Sequence, residues 1–201
     1  MSARPVRPAE EADDPRRQRL LESALVVFMR FGFRKASMDE IARAAQVSRQ
    51  GLYLHFSTKE ELFVAALTHT VGQSLGAAER ALADTSLPMD ERLIRAFDEW
   101  TGRYIGMLGA GASDLAEVTR DLGGDLVTET ETRFIDAVTK ALKSSPGMAD
   151  YKRAGITPRQ LAETLHATGR GLKYASPSRE VFVQKMTIAV KALCLVLGGN
   201  A

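Results

Sequence analysis

Apolar residues recur at three- and four-residue spacing along most of the chain, and no stretch alternates as a half-buried strand would. That pattern predicts an all-α protein. Met38, Ile41, Ala42 and Ala45 form one such stripe with Asp39, Glu40 and Arg43 on the opposite side, and Ser37 with Glu40 three residues on makes a capping box that starts the helix. Gln46 and Val47 leave only a short connection before Ser48, a good N-cap, opens a second helix through Phe56. Val47 is expected to plug the corner. Two short helices across so tight a turn fit a helix-turn-helix better than an ordinary helical hairpin. Thr58 and Glu61 form another capping box, so a third helix begins right after Ser57.

On the second helix Leu52 and Phe56 are four apart and point to the core, which leaves Arg49, Gln50 and Tyr53 outward near its N-terminal end. A recognition helix presents its first residues to base edges in the major groove, where Arg suits guanine O6 and N7 and Gln suits adenine N6 and N7. Arg49 and Gln50 are therefore the expected base readers. Ser37, Ser48, Gly51, Tyr53, His55 and Lys59 are the expected phosphate and backbone contacts, the last at a helix start whose free amides attract anions. Gly51 either lets backbone approach the duplex or merely tolerates tight packing. His55 has no second His, Cys or paired carboxylate at ligand spacing, so neither a metal site nor a general base is expected there.

A helix from Arg17 to Phe31 ending at Gly32, followed by SMDEIARAAQVSRQGLYLHFSTKEELF, resembles the N-terminal domain of TetR-type transcriptional regulators over about 50 residues. The rest of the chain matches only in length, helical pattern and order of elements. The resemblance implies an all-helical homodimer with a three-helix DNA-binding head and a larger ligand-binding and dimerising body. It places phosphate contacts on Ser37, Tyr53, His55 and Lys59, and base readers on Arg49 and Gln50. One departure stands out: the family often has Gly then Thr or Ser where this chain has Gln50 and Gly51, which removes a hydroxyl contact and points to a different operator.

Charge distribution agrees with that reading. Residues 16–59 carry nine Lys and Arg against three acids, whereas residues 60–201 carry sixteen against eighteen. A basic head attracts a polyanion through counterion release, although a solvated basic face would look similar. Residues 1–15, with Pro5, Pro8, Pro15 and mixed charges, are expected to form a disordered tail. Arg16 and Arg17, more than Arg4 and Arg7, could enter a minor groove. The head is assigned to residues 16–62, its core formed by Leu20, Leu21, Ala24, Leu25, Phe28, Phe31, Phe33, Ile41, Val47, Leu52 and Phe56. So small a core is marginal alone, so the third helix should run past Leu67 to anchor it on the body.

The body, residues 63–201, reads as helices near 60–83, 89–108, 112–120, 125–143, 158–175 and 178–197, for about nine helices in the chain. Glycines and prolines punctuate them, notably Gly123 with Gly124, Pro146 with Gly147, Pro158 and Pro177. Leu161, Leu165, Leu172, Val183, Met186, Val190 and Leu193, with Leu197, make the last two helices very apolar. They either pair with a second subunit as a four-helix interface or are covered within the monomer. Phe97, Trp100, Tyr104, Met107 and Phe134 are candidates to line a cavity for a small, largely apolar effector, and the same residues read equally as plain core. His166, Glu117 and Arg120 are candidate polar contacts, His166 alternatively an interface residue.

Composition is that of an ordinary soluble protein, 45% hydrophobic and 26% charged. The single cysteine, Cys194, excludes a disulfide within the chain and suits a reducing cytoplasm. No uncharged apolar run approaches the roughly 18 residues of a membrane span. With no nucleotide-binding glycine loop and no nucleophile beside a base, neither cofactor nor enzymatic activity is expected. The expected partners are double-stranded DNA with an inverted repeat, a second copy of the chain, and an effector of unknown identity. The alternative is a DNA-organising protein with the same head and no effector.

Overall fold

The computed structural model describes residues 14–107 and 112–194, and among them the chain forms nine α-helices, one 3-10 turn and no strand. Helix α1 (Pro15–Phe31) begins where the Asp14 carboxylate accepts the Arg16 amide at 2.9 Å, with Pro15 in the first helical position. Pro15 therefore belongs to the helix, not to the tail; the disorder expected before it concerns residues 1–13, outside the described residues. The helix ends at Gly32, whose φ of 83° lets its amide return to the Phe28 carbonyl.

Helices α2 (Met38–Ala44), α3 (Arg49–His55) and α4 (Lys59–Ala83) follow as the spacing predicted. The Ser37–Glu40 and Thr58–Glu61 capping boxes both form, and Ser48 Oγ accepts the Gly51 amide at 2.9 Å. Gln46 takes up the corner between α2 and α3 with a φ of 57°, a conformation side chains rarely adopt, and Val47 beside it is half-buried.

Two units divide the chain. The first takes the described residues of Met1–Thr70 and Met107–Gly124, the second those of Val71–Gly106 and Asp125–Ala201. In the first, Phe28, Phe33 and Phe63 form a ring cluster with centroids 5.3–5.6 Å apart, joined by Leu20, Leu21, Ile41, Leu52, Phe56 and Leu62. Phe63 lies past the expected end of the head because α4 has no break there. Phe31, expected in this core, is instead 41% exposed under the Arg30 guanidinium: the helix ends there, and Phe28 and Phe33 already fill the interior.

Gly123 and Gly124 do not interrupt α6, which runs unbroken over Ala112–Lys143 where two helices were expected. A Cβ on Gly123 would stand 2.4 Å from Leu67 Cδ2, so the glycine serves close helix packing and not a turn. The same helix receives Arg34, whose amide donates to Asp114 at 2.8 Å and whose guanidinium donates to Glu117 at 2.9 Å.

The second unit holds α5 (Met89–Trp100), a 3-10 turn (Gly102–Tyr104), α7 (Met148–Arg153), α8 (Pro158–Ala175), α9 (Arg179–Leu193) and the rest of α4 and α6. Its core centres on Phe97, Phe134, Phe182, Leu93, Leu142, Leu165 and Met186, with α9 packed against α5 and α8. Helix α5 stops at Trp100, short of the expected 108, because the chain turns at Gly102. A Cβ there would collide with Asp98 and approach the Phe182 ring to 3.1 Å. The short α7 was not foreseen, since Pro146 and Gly147 read as a simple loop. Leu197, expected in the last helix, lies outside the described residues.

Candidate nucleic-acid interface

The two buried residues Leu52 and Phe56 anchor α3, and the rest of that helix faces solvent. Arg49, Gln50, Tyr53, Leu54 and His55 are all exposed, Leu54 at 81%. Leu54 was not singled out in the sequence, yet two residues from Leu52 is about 200° around a helix, so its outward position was legible. Gly51 has a local reason: a Cβ would stand 3.1 Å from Ser48 Oγ and crowd the cap.

Beside α3 lies an open groove of about 560 Å³, lined by Arg34, Lys35, Ser37, Arg49, Tyr53 and Lys59 among others. Its cations outnumber its acids, Asp39 and Glu60. The Ser37 hydroxyl and amide both donate to Glu40 at 2.8 and 3.0 Å, which holds that carboxyl below the ordinary carboxylate range and keeps it ionised at the helix start. Arg49 is held between Asp39, at 3.0 Å, and the face of Tyr53, at 5.7 Å.

Lys59 is placed differently from a free phosphate clamp. Its ammonium donates to the carbonyls of Phe33 at 2.9 Å and Ala36 at 3.1 Å and lies 4.5 Å from the Phe33 ring. A third carbonyl, that of Arg34, lies at 3.5 Å, so all three N–H donors of the lysine serve to order the loop that leads into Ser37. Arg17, a candidate arm residue, lies over Phe56 at 5.5 Å.

In the second unit the aromatic candidates pack on one another. Phe97 and Phe134 are fully buried with ring centroids 5.1 Å apart, and Trp100 stacks on Phe134 at 4.8 Å. The Tyr104 hydroxyl shares a 2.6 Å hydrogen bond with Ser74. Met107, which falls in the first unit, is exposed. Phe97, Trp100 and Phe134 fill space instead of surrounding it.

The interface candidates Leu161, Leu165, Met186 and Val190 are buried in the chain's own core, with Leu172, Val183 and Leu193 partly buried against it. The stripe packs on Leu93 and Phe97 of α5 and on Phe134 and Val138 of α6 within one subunit. The outward positions of α8 include Thr164, Ala167, Gly171 and Tyr174 beside the charged Glu163, Arg170 and Lys173, and those of α9 include Gln184, Ile188 and Ala192, with Tyr174 83% and Ile188 69% exposed.

His166 is buried beside the Phe134 ring, and its Nε2 has no hydrogen-bond partner. Burial lowers its pKa, Arg170 adds to that, and Glu131 opposes it. The folded protein therefore resists a proton that the unfolded chain accepts near pH 6.5. Stability is full above that value and is lost as the pH falls below it. The thermal midpoint should drop between pH 7 and 5, and His166→Leu should flatten that slope; parallel profiles for both proteins would remove His166 as the cause. Cys194 is likewise shielded, its thiol pushed up to about 12 by burial.

The family described as "Bacterial regulatory proteins, tetR family" matches residues 20–66. The HTH-type transcriptional activator FasR of Mycolicibacterium smegmatis is 44% identical over 36% of this chain and 33% of its own length. The HTH-type transcriptional repressor DhaR of Mycobacterium sp. strain GP1 is 26% identical over 90% of this chain and 94% of its own. The chain spans only 27–42% of the length of FasR and two further curated regulators of comparable likeness. The crystal structure of E. coli NemR in its reduced form superposes with a TM-score of 0.65 at 18% identity, covering 92% of this chain and all of that one. No helix among the described residues is long and apolar enough to cross a membrane.

Proposed function

Because residues 20–66 belong to the tetR family of bacterial regulatory proteins and the chain has the all-helical TetR-type fold, we propose that it is a homodimeric transcriptional repressor that a small molecule releases from its operator. One observation carries the reading: Arg49 and Gln50 stand exposed at the N-terminal end of a helix pinned from behind by Leu52 and Phe56. Arg49 and Gln50 read bases in the major groove, and Leu54 adds an apolar contact of the kind a thymine methyl accepts. Ser37, Ser48, Gly51, Tyr53 and His55 meet the phosphates beside them. Lys59 supplies charge there and, through the Phe33 and Ala36 carbonyls, fixes the loop that carries Ser37.

Two copies joined through the outward faces of α8 and α9 would present two such helices to an inverted repeat with half-sites about 34 Å apart or somewhat more. The effector acts by preferring the form that does not bind DNA, and a coupling of about 1–3 kcal/mol changes operator occupancy roughly 5- to 150-fold.

The test begins with selecting bound fragments from genomic DNA and measuring affinity for the recovered duplex and its single-base variants. Arg49→Ala should cost about 1–3 kcal/mol on the recovered duplex and erase preference at one position. Lys59→Ala should weaken all duplexes alike, lower the salt slope by about one, and reduce the head's thermal midpoint. Identical losses on every sequence for both variants would overturn the division of roles, and absence of any preferred duplex would overturn the function.

A further inference from the structure

A groove in the second unit, about 810 Å³ and open, runs between α4 and α5 and is polar where an apolar pocket was expected. Its α4 wall carries Gly72 and Gly76, one turn apart on the same face, and nothing lies within 4 Å of where a Cβ on Gly72 would be. At Gly76 the only such atom is a guanidinium nitrogen of Arg80, at 3.4 Å. The missing side chain thus lets Arg80 lie along the helix beside the groove.

Three carboxylates line the groove, and each already has a partner. Asp98 takes both donors of Arg179 at 2.8 and 2.7 Å, Glu99 takes Arg103 at 3.2 Å, and Asp84 takes the amide and hydroxyl of Ser86. Arg80 has no carboxylate at ion-pair distance among the described residues. Arg95 pairs with Glu91 at 3.8 Å, with both side chains more than half exposed, a pairing of little strength, and lies in the field of Asp84. Two guanidiniums, one from each wall, therefore face a groove in which Asp98 and Glu99 are matched by Arg179 and Arg103, while Asp84 keeps its charge under the Ser86 hydrogen bonds. Guanidinium forks match carboxylate and phosphate oxygens in pairs, and the volume suits a small organic molecule.

We propose that this groove binds an organic anion carrying two acidic groups, one on Arg80 and one on Arg95, with the glycine face of α4 as its floor. As the effector site it rests on the regulatory reading above; as a binding site it does not.

The experiment is calorimetric titration of the full chain without DNA, using isophthalate, phenyl phosphate and the neutral isophthalamide. Isophthalate should bind one per chain with a Kd below about 1 mM and weaken as salt rises, while isophthalamide gives no signal. Phenyl phosphate, with a single acidic group, should bind more weakly than isophthalate. Arg80→Met and Arg95→Met should each weaken binding at least tenfold. Gly76→Leu, a favourable change for an exposed helix, should block the floor with both arginines present. No binding of isophthalate to the wild-type chain, equal binding by the Arg80→Met/Arg95→Met double variant at an unchanged thermal midpoint, or equal binding of isophthalamide would overturn the site. Adding isophthalate to the protein on its selected duplex then tests the effector role alone. Binding without release would leave the site standing and remove only that role.

Discussion

Phe28→Ala is expected to cost the head about 3–5 kcal/mol, the range for emptying a fully buried aromatic site. Phe28 has no exposed surface and touches both other rings of its cluster, stacked on Phe33 at 5.6 Å and edge-on to Phe63 at 5.3 Å. Phe33 lies in the segment whose carbonyls hold Lys59, and Phe63 lies on α4, so the cavity would loosen three elements at once. Alanine removes most of the ring volume, and Leu62, Leu21 and Ile41 already occupy their own packed positions. Thermal or urea unfolding followed by near-ultraviolet circular dichroism would read the loss, and duplex binding should fail at temperatures the wild type tolerates. Phe28→Leu should give a smaller loss. A cost below about 1 kcal/mol for Phe28→Ala would mean that the ring cluster does not hold the head together.

Ile188→Asp is the second large effect, and it concerns assembly, not folding. Ile188 is 69% exposed and Tyr174 83%, large apolar side chains that a lone subunit would leave in water. Ala167 and Gly171 on the outward face of α8 are small enough for another helix to approach closely. In a two-fold dimer each substitution occurs twice, so a carboxylate at 188 would be buried in two places. The proposed dimer should weaken at least a hundredfold, read by sedimentation equilibrium, and operator affinity should fall with it because the two heads no longer bind as one ligand. Folding should be unaffected, since the side chain is outside the core. A variant that stays dimeric would put the interface on another face.

Local signals carried a long way in this chain. Ser37 with Glu40, Ser48, and Thr58 with Glu61 each mark a helix start through a hydrogen bond spanning three residues, and each start formed where the spacing put it. The recognition face was equally plain, because on a short helix the side opposite Leu52 and Phe56 must meet solvent. Glycine was the residue type most often misread. Gly123 sits inside α6 because Leu67 needs its space, and Gly102 ends α5 because Asp98 and Phe182 crowd it. Leu67 and Phe182 are distant in sequence from the glycines they meet, and such contacts leave no mark in a single chain.

Sequence alone thus determined the helical class, the capped starts of the head's helices and the outward set Arg49, Gln50 and Tyr53, since these depend on contacts within about one helical turn. Tertiary structure decided the rest. It turned Lys59 onto the Phe33 and Ala36 carbonyls and closed Phe97, Trp100 and Phe134 on one another. It also spent the apolar stripe of α8 and α9 on the chain's own core and left Arg80 and Arg95 facing an open groove. Each of these depends on which distant side chain occupies the neighbouring space, and periodicity records only that a face is apolar or polar, not what it meets.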